Sequence, residues 1–435
     1  MQHTKPLILE RLLGQTKKSF EAISKKMDER NGISLSDCLL SGLAIFGLKY
    51  PSLLQFDNDR NNEAALYNLK TLYKINQVPS DTYLRERLDE VTPLHLRKAF
   101  TKAFAFIQRG KVLKPYVFME DHYLVSIDGT GIFSSKNIHC ESCCVNNHKA
   151  GYQSYHHKMV AAVLVHPDHK EVFPFAPEAI TKQDGTVKND CEQLASARLL
   201  THLRREHPHL KMIIVEDSLA ANGPHIRKIQ SLNMKFIIHA KHLSADFDFI
   251  DREKIQSHDI INPDGSIHRF RFVNSIRLNS AHLDLKVNML DYSEISNAGE
   301  VLRRFTWVTD IHLTNNTVYQ VMQGGRSRWK IENETFNTLK NQGYQFEHNF
   351  GHGYKNLCTV FGHLMFLAFL LDQIQQRCCT KFQAALLEAK SRIRFWSKVR
   401  HLALEIPLGS WHIIYGLISH RNQYRISVEL VLDSS

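Results

Sequence analysis

Hydrophobic residues in the first part of the chain recur at helical spacing. The stretch "SLSDCLLSGLAIFGLKY" has apolar side chains three and four residues apart behind a serine and an aspartate, which are good helix caps, and it ends at Pro51. Further on, "VPSDTYLRERLDEVTPLHLRKAF" starts a short helix at Ser80 and restarts after Pro93. Residues 1–118 are therefore predicted to be helical.

The pattern changes to strands near residue 119. The runs "HYLVSIDGTG", "KMVAAVLVHP" and "EVFPFAP" can pair as a meander, and "LKMIIVEDS" and "MKFIIHAK" are nearly all-apolar, as in buried strands. Helical stretches separate the later strands. From about residue 244, apolar and polar residues alternate, as in "LDLKVNMLDY", which is typical of antiparallel strands.

These patterns predict an α/β protein with five segments. They are a helical N-terminal domain at 1–118, the first part of a sheet core at 119–243, an antiparallel β insertion at 244–310, a helix that returns to the core at 311–376, and a basic helical C-terminal region at 377–435.

The most apolar run, "LCTVFGHLMFLAFLL", is shorter than the roughly 20 residues that span a bilayer, so we expect a buried helix there. The first residues carry charges throughout and do not resemble a signal peptide. Eight cysteines without a regular framework favour reduced thiols. Together these features predict a cytoplasmic protein with no membrane contact.

Charge adds a candidate partner. The chain has 55 Lys and Arg against 44 Asp and Glu, a formal net charge of +11 and a pI near 9.1, which favours a polyanion such as nucleic acid. Arg85 and Arg87 lie on the first of two short helices, which can form either a DNA-binding helix-turn-helix or a solvated helical hairpin.

Three carboxylates suggest the chemistry. Asp128 and Asp217 each follow an apolar run, where we expect the strand to end and the sheet to present functional groups, and Glu332 lies on a helix far along the chain. Converging carboxylates repel one another, and divalent cations relieve that repulsion. Hard oxygen ligands suit Mg²⁺ or Mn²⁺, and two such ions can promote phosphoryl transfer on DNA.

The order "SIDGTG", "VEDSLAANG", "RSRWKIENETFNTLK" resembles the DDE transposases of bacterial insertion sequences, in the insertion-sequence-four superfamily, whose last helix carries a Tyr-Arg-Glu-Lys signature. The resemblance covers about residues 119–355. It implies an RNase H-like core interrupted by the β insertion, catalysis by Asp128, Asp217 and Glu332 with Mg²⁺, and binding of terminal inverted repeats and target DNA. It also implies at least a homodimer on DNA.

The signature favours Glu332 over Glu334 as the third carboxylate, because Arg328 precedes Glu332 by four residues, whereas Lys330 has that relation to Glu334. The signature lysine normally follows the glutamate by seven residues; here Lys340 follows by eight.

If the helix is regular, positions 332, 336 and 340 share one face, and Arg328 and Lys340 flank the carboxylate to hold DNA phosphates. Trp329 is expected either to stack on an extruded base or to lie in the core, and the signature tyrosine position is Gly325.

A second constellation lies between the first two strands. "NIHCESCCVNNHKAGYQSYHHK" offers Cys140, Cys143, His148 and His157 as candidate ligands of a structural Zn²⁺. The alternatives are buried free thiols or histidines that face DNA phosphates.

The predicted function is a DNA transposase that cuts and joins DNA. Two alternatives remain open on the sequence: a metal-dependent nuclease that cuts without joining, and a domesticated DNA-binding protein that has no catalysis.

Overall fold

The computed structural model describes residues 8–27, 32–181, 188–240, 254–279 and 281–420, with the backbone alone at 188–191. Parts of four predicted segments, at 1–7, 28–31, 182–187, 241–253, 280 and 421–435, lie outside the described residues.

The helices are α1 (Ile8–Met27), α2 (Leu35–Gly47), α3 (Leu53–Asp59), α4 (Glu63–Leu72), α5 (Asp81–Asp89), α6 (Arg97–Arg109), α7 (Lys188–Glu206), α8 (Gly223–Ser231), α9 (Val318–Arg326), α10 (Asn337–Asn341), α11 (Leu357–Cys378), α12 (Thr380–Ala389), α13 (Arg392–Glu405) and α14 (Trp411–Ser419). The strands are β1 (Tyr123–Ser135), β2 (Cys144–Asn147), β3 (Gln153–His166), β4 (His169–Pro174), β5 (Glu178–Ile180), β6 (Met212–Glu216), β7 (Lys235–His239), β8 (Gln256–Ile261), β9 (Ile267–Arg277), β10 (Lys286–Ile295) and β11 (Val301–Thr309).

The N-terminal helices form where the capping pattern predicts them. Ser34 precedes α2 and its hydroxyl accepts a hydrogen bond from the backbone N–H of Asp37 at 3.0 Å, which satisfies one of the free donors of the first turn. Ser80 caps α5 in the same way through the N–H of Tyr83. Serine side chains that hydrogen-bond to backbone N–H groups thus start these helices, as the sequence indicates.

The α/β prediction is confirmed. Among the described residues, eleven strands join in one mixed sheet, in the order β2-β3-β1-β6-β7-β11-β10-β9-β8, with β4 and β5 also paired to β3. β1 runs antiparallel to β3 and parallel to β6, and β6 runs parallel to β7. The strands of the insertion are antiparallel to one another, and β11 joins them to β7.

The long apolar run is a buried helix, as predicted. Helix α11 packs against α1, α2, α5, α6 and β4, so the N-terminal helices share one hydrophobic core with it and with the sheet. Within the described residues, α11 alone is long and apolar enough to cross a membrane, and its most apolar window is entirely buried inside the protein. Its composition therefore fits a core helix.

Candidate active site and metal centre

Asp128 and Asp217 lie side by side because the strands that carry them are parallel neighbours. The β1–β6 pairing runs in register to Ser126 opposite Val215, and each aspartate comes two residues after that pair. Asp217 follows the end of β6 as predicted, and its carboxylate accepts the N–H of Leu219 at 3.0 Å.

The expectation that Asp128 ends its strand is wrong. β1 continues to Ser135 because β3 supplies a backbone partner along most of its length, including Ala161 opposite Asp128. Only the pairing with β6 stops before Asp128. The aspartate therefore sits where one neighbour of β1 has ended and the other continues.

Arg328 links the first carboxylate to the third. Its Nη1 atom lies 3.3 Å from Oδ2 of Asp128 and 2.7 Å from Oε1 of Glu332. The backbone also holds the arginine in place, since the Ser126 hydroxyl donates to the Arg328 carbonyl at 3.2 Å. The charges of Asp217 and Glu332 both act on Asp128. The three predicted catalytic residues therefore converge on one site.

The helix that carries Glu332 is not regular. Residues Ile331–Phe336 form a π-helical turn, which takes one residue more than an α-helical turn. As a result Phe336 is buried, whereas Asn337, five residues after Glu332, is exposed. The expectation that residue 336 shares a face with 332 and 340 is therefore wrong, because it assumed regular helix geometry.

The predicted DNA-binding residues have different surroundings. Lys340 is exposed and pairs with Glu347 at 2.8 Å rather than with Glu332. Trp329 is 43% exposed, which excludes the core alternative. On α5, Arg85 is partly exposed and pairs with Asp81 at 2.9 Å, whereas Arg87 is buried. Of these two arginines, only Arg85 can meet a ligand on the surface in this conformation.

Gly325 occupies the signature tyrosine position, where the indole ring of Trp307 leaves no space for a side chain. A Cβ atom there would lie 2.4 Å from Nε1 of Trp307, closer than side-chain atoms pack. Trp307 is buried, so it belongs to the core. Any larger residue at 325 would have to displace this indole.

Sequence reasoning missed several polar residues around the aspartates. Glu216 is buried and its Oε2 atom lies 2.6 Å from Nε2 of His225, while the Ser196 hydroxyl donates to its other oxygen at 3.3 Å. Burial by itself would lower the pKa of His225, but the Glu216 carboxylate outweighs burial and raises it.

Glu192 supplies another carboxylate to the pocket that Asp128 and Asp217 line. A Cβ atom on Gly129 would lie 2.4 Å from Oε1 of Glu192, so the glycine after Asp128 gives this side chain its space. The glycines of "DGTG" indicated open space beside Asp128, but they did not indicate that Glu192 occupies it.

Burial raises the pKa of Asp128 to about 7. Arg328 opposes the rise, and the charges of Asp217 and Glu332 add to it. The ordinary pKa of an aspartate is 3.8. Between pH 3.8 and about 7, Asp128 is therefore protonated to a greater extent in the folded protein than in the unfolded chain. Ionised Asp128 therefore destabilises the metal-free fold, and its contribution becomes less favourable as pH rises from about 4 to about 7.

Replacing Asp128 with Asn should remove this penalty. We expect metal-free Asp128→Asn to gain stability relative to wild type on going from pH 5 to pH 8, by about 3 kcal/mol. Urea unfolding of both proteins at the two pH values, in the presence of a chelator, measures the difference. Parallel pH dependences would show that Asp128 does not carry the shifted pKa.

A second cluster contains Cys140, Cys143, His157 and His352. One ligand atom from each side chain lies within 4.8 Å of the others, so the group can hold a metal ion. Cys143 and His157 are buried, and burial lowers the pKa of His157 to about 4, which keeps its imidazole neutral.

Three of the four predicted zinc ligands, Cys140, Cys143 and His157, lie in this cluster, and the fourth, His148, does not. His148 is exposed, stacks on Tyr152, and has its Nε2 atom 2.7 Å from the Ser154 hydroxyl. His352 lies 3.2 Å from Cys143 through its Nε2 atom and takes the place predicted for His148. Spacing along the chain favoured the nearer histidine, but the fold brings the distant one to the cysteines.

Comparison with known protein families finds no family that matches the chain. Comparison with curated proteins likewise finds no match.

Proposed function

We propose that the protein is a DNA transposase that binds the terminal inverted repeats of its element and catalyses metal-dependent cleavage and strand transfer. The observation that carries the proposal is the convergence of Asp128, Asp217 and Glu332 on one site, where Arg328 contacts Asp128 and Glu332 and the charge of Asp217 acts on Asp128. Asp128 lies on β1, Asp217 directly follows the parallel neighbour β6, and Glu332 lies on a distant helix, in the order of the DDE signature.

The strand order is compatible with an RNase H-like core. The strands β1, β3 and β4 pair antiparallel, β1 with β3 and β3 with β4, and they precede two strands, β6 and β7, that extend the sheet in parallel from β1. The antiparallel strands β8–β11 then come between β7 and the Glu332 helix, as an insertion in such a core would.

The π-helical turn supports the signature on the last helix. One extra residue in the turn makes eight residues cover about the rotation that seven cover in a regular α-helix. The eight-residue interval from Glu332 to Lys340 therefore places the lysine near the angular position of the signature lysine. Both side chains are exposed, so both can face DNA.

The donor set fits Mg²⁺ or Mn²⁺. Asp128, Asp217 and Glu332 would hold the ions, because carboxylate oxygens are the ligands these cations prefer. A cation would also offset the burial and, to a smaller extent, the repulsion by Asp217 and Glu332 that raise the pKa of Asp128. When bound, two such ions activate the attacking oxygen and stabilise the leaving oxygen of a phosphodiester.

The protein itself orients this site. Arg328 holds Asp128 and Glu332 at a fixed separation and offers donors for a DNA phosphate. Glu216, fixed by His225 and Ser196, anchors the backbone next to Asp217. Arg85, Trp329 and Lys340 are the exposed residues that contact DNA in this proposal, Trp329 by stacking on an unpaired base.

The second metal in the proposal is structural zinc, bound by Cys140, Cys143, His157 and His352. Two thiolates and two imidazoles are soft and intermediate donors that suit Zn²⁺ and do not suit Mg²⁺.

Incubation of the purified protein with Mg²⁺ and DNA that carries the natural flanks of its gene tests the function. Defined cuts at the element ends, followed by joining to target DNA, are expected. Cuts without joining would indicate the nuclease. Binding that weakens with salt, without strand breakage in Mg²⁺ or Mn²⁺, would indicate a DNA-binding protein that has no catalysis.

A further inference from the structure

The cysteine–histidine cluster joins two neighbouring segments of the chain to a third segment that is distant in the sequence. Cys140 and Cys143 lie in the connection between β1 and β2, His157 lies on β3, and His352 follows the Glu332 helix. Cys143 and His352 are 209 positions apart in the sequence. A metal ion here would therefore cross-link separate parts of the fold.

Five of the six distances between the ligand atoms are close to those of a tetrahedral zinc site, and the sixth, between Cys140 and His352, is within 4.8 Å. Ordinary Zn–S and Zn–N bond lengths place two sulfurs about 3.8 Å apart, a sulfur and a nitrogen about 3.6 Å apart, and two nitrogens about 3.3 Å apart. The two sulfurs are 3.9 Å apart, Nε2 of His157 is 3.4 Å from each sulfur, and the two Nε2 atoms are 3.1 Å apart. These separations agree with the tetrahedral values to a few tenths of an ångström.

The orientation of His352 also fits a ligand. Its Nδ1 atom lies 2.8 Å from the Gly353 carbonyl oxygen, which can only accept a hydrogen bond. The proton of the neutral ring is therefore on Nδ1, and Nε2 directs its lone pair at Cys143 and His157. A backbone carbonyl that fixes the tautomer in this way is a common outer partner of a metal-bound histidine.

The segment after His352 is held independently by Asp89 at the end of α5. Its carboxylate accepts backbone N–H groups from four consecutive residues, Tyr354, Lys355, Asn356 and Leu357, at 2.8 to 3.2 Å. Gly353 allows this approach, since a Cβ atom there would lie 2.4 Å from Oδ1 of Asp89. His352 thus stands between the anchored start of α11 and the turn after the Glu332 helix.

We infer that zinc at Cys140, Cys143, His157 and His352 is a clamp that fixes the segment after the Glu332 helix to the hairpin of β1 and β3. β1 carries Asp128, so the clamp joins the elements that bear two of the three proposed catalytic carboxylates. The residues between Asn341 and His352 contain no helix or strand, so the clamp supplies a connection that regular backbone pairing does not. This inference rests on the proposed zinc ion and is independent of whether the protein acts on DNA.

Metal analysis of the purified chain tests the clamp, with His352→Ala compared with His148→Ala. We expect one zinc per chain in wild type and in the control His148→Ala, since His148 lies outside the cluster. His352→Ala should bind zinc more than about 100-fold more weakly, because changes to outer partners alone cost about 10- to 100-fold. Cys140→Ser, at a less buried ligand, is a second variant and should show the same loss.

Thermal unfolding with and without a zinc chelator gives a readout that does not depend on DNA. The chelator should lower the melting temperature of wild type and of His148→Ala, and leave that of His352→Ala unchanged. Zinc retained by both His352→Ala and Cys140→Ser, zinc lost equally from His148→Ala, or a chelator without effect on wild type would overturn the inference. If zinc binds as expected but DNA is not cut, the clamp stands and the transposase proposal fails.

Discussion

Asp217→Asn is expected to abolish DNA cleavage while DNA binding persists. The substitution keeps the shape of the side chain but removes one carboxylate from the site formed with Asp128 and Glu332. Metal ions stabilise the transition state of phosphoryl transfer by several kcal/mol, and loss of about 4 kcal/mol corresponds to about a thousandfold in rate. The asparagine side chain keeps an oxygen that can cap the turn, so we expect the fold to be retained.

A matched control is available at the tip of the insertion. Asp264 is exposed and its carboxylate accepts the N–H of Ser266 in a turn, much as Asp217 accepts that of Leu219. Asp264→Asn should cut DNA at the wild-type rate. Single-turnover cleavage of end DNA and a separate binding titration measure the two effects. Cleavage by Asp217→Asn within a few-fold of wild type would remove Asp217 from the catalytic assignment.

The DNA cleavage rates of Glu332→Gln and Glu334→Gln should differ by about the same factor as those of Asp217→Asn and wild type. Glu332 is exposed and contacts Arg328 at 2.7 Å, and through that arginine it adjoins Asp128. Burial lowers the pKa of Lys330, and the charge of Glu334, two residues after Glu332, opposes that change. The Lys330 amino group donates to the His169 carbonyl. We therefore expect a loss of about a thousandfold for Glu332→Gln and little change for Glu334→Gln.

These two substitutions are chemically identical and lie in the same π-helical turn, so each controls for the effect of the other on helix stability. Cleavage rates at saturating Mg²⁺ are the measurement. If Glu334→Gln loses activity and Glu332→Gln keeps it, the third carboxylate is Glu334, and the role of Arg328 in orienting it has to be abandoned.

The strands and their direction of pairing were largely predictable because their apolar runs are long and bounded by turn residues. β2 and β5, with four and three residues, were not, since such short strands have little periodicity of their own. The continuation of β1 past Asp128 was also missed. Glycines after the aspartate indicate a strand end when read locally, whereas pairing with β3 keeps the strand extended.

The separation of the site residues along the sequence limited the prediction of the site. Arg328 and Glu332 could be paired from helical spacing, and the structure has that contact. The π-helical turn was not predictable from that spacing, although the eight-residue interval to Lys340 signalled an irregularity.

His352 illustrates the same limit. Nothing in the local sequence connects it to Cys143, because the contact exists only after the Glu332 helix has packed on the sheet. Glu192 is likewise brought to Asp128 by the packing of a separate helix.

The most direct test of the central claim is a strand-joining assay. End DNA, target DNA and Mg²⁺ are incubated with wild-type protein or with Asp217→Asn, and new junctions are mapped by sequencing. The proposed transposase predicts junctions between the element's 3′ ends and target DNA with wild type and none with the variant. Wild-type protein that binds the ends but forms no junctions, in Mg²⁺ or in Mn²⁺, would contradict it.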